Sequence, residues 1–82
     1  MEIKVYFGIL LKRKRKEKGL SQQRLADKSG LDRTFISLME RGLKTPSLTT
    51  IFKLSSTLEI EASTLIQELE RDLSVNNVNI VD

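Results

Sequence analysis

The chain has 82 residues, neither cysteine nor histidine, and a formal net charge of +3. That length suits one small domain, which buries only roughly 60–65% of its unfolded surface, so pairing with a second copy would add stability. The absent residue types exclude a disulfide framework, a thiolate zinc site and the commonest general base and metal ligand, and no cofactor or metal is expected.

Hydrophobic spacing predicts an all-α chain of five helices with no internal repeat. The first spans about residues 4 to 18, with Phe7, Leu10, Leu11 and the stem of Lys14 at helical spacing, and stops at Gly19. Ser21 caps a second helix over 22 to 29, ended by Gly30. The reciprocal capping box is missing because the partner position is Arg24. Asp32 caps a third helix over 33 to 41, closed by Gly42. The loop LKTPS holds the only proline. Ser47 caps a fourth helix over 48 to 58, with Leu48, Ile51, Phe52, Leu54 and Leu58 apolar. Ser63 caps a fifth over 64 to 73, with Leu65, Ile66, Leu69 and Leu73 apolar. This divides the chain into a domain over 1–73 and a tail over 74–82. The asparagines of the tail oppose a longer helix and predict a frayed or short extended end.

No run approaches the ~18 apolar residues of a membrane span. The opening MEIKVYFGILLKRK places its charges after its apolar run, the reverse of a signal peptide, so a cytoplasmic location is expected. Residues 1 to 45 carry +7 and residues 46 to 82 carry −4. A basic half joined to an acidic half suits an anionic partner on one side only.

The most informative stretch is SQQRLADKSGLDRTFISLMERG, residues 21 to 42. Counting from Gln22, Ala26 lies four residues on, where crossing helices admit only a small side chain. Gly30 lies eight on, where a tight turn needs positive φ. Leu31, Ile36 and Met39 lie nine, fourteen and seventeen on and would pin one helix against the other. An ordinary helical hairpin explains one such match but not all five together with two caps. The spacing defines a helix-turn-helix, whose second helix enters the DNA major groove.

This stretch, followed by KTPSLTTI, resembles the repressor/Cro-like helix-turn-helix family of the xenobiotic-response-element type. LDRTFIS and ERG look most like the small controller proteins of restriction–modification systems. The resemblance covers about residues 7 to 70 and implies a five-helix domain that binds double-stranded DNA as a homodimer and regulates transcription. It also implies an ion pair between Arg15 and Glu40 that ties the first helix to the third. The chain departs from the family at Lys14, where Leu or Ile is usual, and at Ile9 and Leu10, where relatives tend to be polar.

The base-reading candidates are Arg33 and Thr34 in the first turn of the third helix, Ser37 one turn on, and Leu38. Arginine can give two hydrogen bonds to guanine, and Thr34 can touch a base edge or a thymine methyl. Leu38 stands where related helices are often polar; it either meets a thymine methyl or is a stray surface residue. Phe35 is split between core packing and a wedge near the backbone. Phosphate contacts are expected from Gln22, Gln23, Arg24, Arg41, Lys44 and Thr45, which fix register without reading sequence. Gln22 sits at a helix N-terminus, which favours an anion. The run KRKRKEK spreads over all faces of its helix and cannot all meet one duplex.

Leu65, Ile66, Leu69 and Leu73 are the expected dimer interface. The acids around them, Glu59, Glu61, Glu68, Glu70 and Asp72, either solubilise that helix or attract a basic partner such as an RNA polymerase subunit. Ile9 and the apolar residues of the tail suggest that the tail or a partner subunit covers the first helix. Two other readings use the same motif: an antitoxin that represses its own operon and binds a toxin, and a protein-interaction module without specific DNA binding. An enzyme is not expected, since Tyr6 stands alone and no acid–base or nucleophile constellation is visible.

Overall fold

A computed structural model describes residues 3–78 and builds them as five helices: α1 (Ile3–Glu17), α2 (Gln22–Ser29), α3 (Arg33–Glu40), α4 (Leu48–Thr57) and α5 (Ala62–Val75). None of these helices is long and apolar enough to cross a membrane. Helix α1 packs on α3 and α5, α2 packs on α3 and α4, and α4 packs on α5. The shared core is Phe7, Leu10 and Leu11 of α1, Leu25 and Ala26 of α2, and Ile36 and Met39 of α3, with Ile51, Leu54, Leu58, Leu65, Leu69 and Leu73 behind them. Leu31 and Phe35 lie half-buried against it.

The caps of the first three turns fall where their residue types predict. Ser21 Oγ accepts from Arg24 N, Asp32 from Phe35 N, and Ser47 from Thr50 N. Gly30 takes φ +75° and its N–H bonds Ala26 O, which turns the chain from α2 into α3. Gly42 closes α3 with φ +75°, its N–H to Met39 O and the Leu43 N–H to Leu38 O. This is a Schellman end, and any side chain at 42 would also press on Val5.

The boundaries of α5 depart from the sequence expectation. The helix starts at Ala62, and Glu61 occupies the cap position with no side-chain cap bond. Ser63 lies inside the first turn because α4 ends abruptly: Glu59 takes φ 57° and Ile60 N bonds Ser55 O. That pins Ile60 against the core and leaves no room for a longer link. At the other end α5 runs to Val75, and Asn77 closes it with φ 54° while Val78 N bonds Leu73 O. The asparagines end the helix because asparagine tolerates the left-handed region better than most side chains. Val78 packs back on the core, so the chain stays attached beyond residue 73. The remaining apolar residues of the tail, Ile80 and Val81, lie outside the described residues.

Two further expectations are corrected by burial. Leu10 is completely buried in the core, and only Ile9 adds exposed apolar surface to α1. Leu65, Leu69 and Leu73 belong to the protomer's own core, because α5 must cover both α1 and α4; only Ile66 of the expected interface is exposed. Leu48 and Phe52 of α4, expected as core, are exposed instead, and with Ile66 they line one shallow apolar groove.

Candidate nucleic-acid interface

The polar end of α3 stands clear of the core because Ile36 and Met39 seal its opposite face. Arg33 and Thr34 are exposed in its first turn, and Ser37 and Leu38 are half-buried further along. Gln23, Arg24, Arg41, Lys44 and Thr45 are exposed around that end, and Gln22 is half-buried at the start of α2. Leu38 also supplies the carbonyl that anchors the Schellman end of α3, with Leu43 as its follower. A leucine pair at those two places is usual for such an end.

Beneath this surface lies a polar relay. Arg15 Nε donates to Glu40 Oε2 at 2.6 Å and Arg15 Nη2 to Glu40 Oε1 at 2.9 Å. Arg15 Nη1 also donates to Leu20 O at 2.8 Å. The two side chains are nearly closed to solvent, 9% and 3% exposed, and the hydrogen bond to Glu40 raises the Arg15 pKa further despite burial. Losing one partner of such a buried pair costs about 3–5 kcal/mol. Gln22 Nε2 donates to the same Glu40 Oε1 at 3.0 Å, and Arg33 Nη1 donates to Gln22 Oε1 at 3.2 Å. A surface arginine is thus linked through one amide to the ion pair that joins α1 to α3.

The lysine-rich run of α1 is divided by its partners. Lys14 Nζ reaches Glu68 at 2.8 Å and Glu17 at 3.5 Å. Arg13 lies 3.4 Å from Asp72 and 3.7 Å from Glu68. Lys18 pairs with Glu59, which holds that carboxyl below its usual range. The acids of α5 therefore do more than solubilise it: Glu68 and Asp72 bind α1. Sequence reading missed this seam, because pairs so distant along the chain leave no local pattern.

Gly8 was also missed. A Cβ there would lie 2.3 Å from Met39 O and 2.8 Å from Glu40 O, so α1 crosses the end of α3 at a distance only glycine allows.

The helix-turn-helix family profile matches residues 11–65, and the chain belongs to that family. Within it, the chain is similar to controller proteins of restriction–modification systems. It is 42% identical to the control protein C.MunI of a Mycoplasma species over 72 residues, 87% of this chain and 97% of that protein. The crystal structure of the controller protein C.AhdI from Aeromonas hydrophila superposes with a TM-score of 0.73 at 47% identity, covering 76% of this chain and 94% of that one. The controller protein C.Esp1396I, solved as a tetramer on its natural 35-base-pair operator, superposes at 0.81 with 29% identity over 89% of this chain and 96% of that one.

Proposed function

We propose that this chain is a sequence-specific, double-stranded DNA-binding transcriptional regulator that acts as a homodimer, of the restriction–modification controller type. The observation that carries it is the first turn of α3, where Arg33 and Thr34 project together beyond a left-handed glycine turn and are ringed by Arg24, Arg41 and Lys44. The likeness to C.Esp1396I, whose tetramer is solved on an operator, supports the same partner here.

Arg33 and Thr34 lead base reading, joined by Ser37 and Leu38. Gln22, Gln23, Arg24, Arg41, Lys44 and Thr45 hold the phosphates. Two recognition helices meet successive major grooves about 34–36 Å apart, so the operator is roughly two-fold symmetric. Leu48, Phe52 and Ile66 form the surface on which two copies meet, since they are the exposed apolar residues that share one groove. Glu61 and Glu70 are exposed and carry no ion pair among the described residues. They are the acids available to a basic partner such as an RNA polymerase subunit. Control by concentration through dimerisation is the simplest mechanism, acting where the DNA lies, in the cytoplasm.

Selection from a random duplex pool should return a symmetric site, and Arg33→Ala should relax its preference at one base pair per half-site by about 5- to 150-fold. Equal binding of that site without Arg33 would remove base readout by α3.

A further inference from the structure

The relay from Arg15 to Arg33 has a direction set by chemistry. Glu40 is paired with Arg15 and, as a carboxylate, can only accept hydrogen bonds. An amide has one accepting and one donating end. Gln22 must therefore turn its nitrogen toward Glu40, where the contact is 3.0 Å. The opposite orientation would set two acceptor oxygens against each other with no proton between them. With the nitrogen committed, Gln22 Oε1 faces outward, and Arg33 Nη1 donates to it at 3.2 Å.

We propose that Gln22 is a specificity-positioning residue: the buried Glu40 carboxylate orients its amide, and the amide oxygen holds the Arg33 guanidinium for base reading. This rests on the reading of Arg33 as a base-contacting residue. A long exposed arginine otherwise samples many rotamers, and each lost rotamer weakens the discriminating contact. Gln22 keeps its second N–H for a phosphate, since its nitrogen has two protons and Glu40 takes one. One side chain can then serve both register and specificity, and the two roles are separable by substitution.

The test uses a duplex selected from a random pool and its single-base-pair variants, titrated with wild type, Gln22→Met, Gln22→Lys and Arg33→Ala. Gln22→Met removes both ends of the amide. Gln22→Lys keeps a donor for Glu40 and for a phosphate but offers Arg33 no acceptor. Both Gln22 variants are expected to lose about 3- to 10-fold of discrimination at the base pair that Arg33→Ala relaxes, and at no other, which is part of the range a bidentate contact supplies. Adding Gln22→Met to Arg33→Ala should change that discrimination no further, because the two act as one unit. If both Gln22 variants weaken all sequences equally, or leave discrimination unchanged, Gln22 is a phosphate contact alone and the proposal fails while base readout stands. If Arg33→Ala itself changes no preference, the base-reading role fails and takes this proposal with it. Melting temperatures of each variant check that the fold persists.

Discussion

Gly8 shows how much a single residue can carry by being absent. Its backbone lies against Met39 O and Glu40 O, the last carbonyls of α3, in the turn that also holds the buried ion pair. Gly8→Ala cannot be relieved by moving a flexible side chain, because both obstacles are backbone atoms. The expected cost is about 1–3 kcal/mol, the usual range for overpacking, and it is read from the urea midpoint. An unchanged midpoint would mean that the helices slide apart without penalty. Arg33 and Thr34 were legible in the sequence because residue type and distance from the turn agree on their placement. Gly8 was not, because a glycine inside an amphipathic run says nothing of what approaches it. The bond between Gln22 and Arg33 was hidden for a related reason: each was assigned its own contact to DNA, and nothing in an eleven-residue separation says that they touch.

At the scale of elements, helix starts were more legible than helix partners. Ser21, Asp32 and Ser47 cap as their chemistry dictates, because a cap acts within three residues of itself. Glu61 replaces Ser63 because the end of α4 decides where α5 begins. The seam between α1 and α5 is where distance defeats local reading. Lys14 is held above its ordinary pKa first by its hydrogen bond to Glu68, with the Glu68 and Glu17 charges adding to it. A raised folded-state pKa contributes stability that is complete below the unfolded value, near 10.4, and is lost as pH rises through the folded one. Wild type should therefore exceed Lys14→Met in urea midpoint at about pH 9, and the gap should close above about pH 11. A gap that ignores pH would make the lysine stem, rather than its charge, the stabilising part.

For the whole molecule, the difference between a core residue and an interface residue was the least legible. Leu65, Leu69 and Leu73 have the periodicity of a sticky face, yet five short helices need all three inside. Apolar spacing marks a helix face but does not say whether the same chain or another covers it. The exposed trio is Leu48, Phe52 and Ile66. Phe52→Glu should leave far-UV circular dichroism unchanged, since the ring is exposed, while sedimentation at micromolar concentration shifts to the 9.4 kDa protomer and binding to a symmetric duplex weakens. A variant that remains dimeric would move the interface elsewhere. The ion pairs of α1 carry a consequence for how such a protein finds its site. Of the six cations between Lys12 and Lys18, four are engaged within the fold: Arg13, Lys14, Arg15 and Lys18. Random DNA is held almost wholly by counterion release, one phosphate at a time. A regulator whose cations answer to its own carboxylates rests lightly on the wrong sequence, leaves it quickly, and loses less of its time to the many competing sites of a genome.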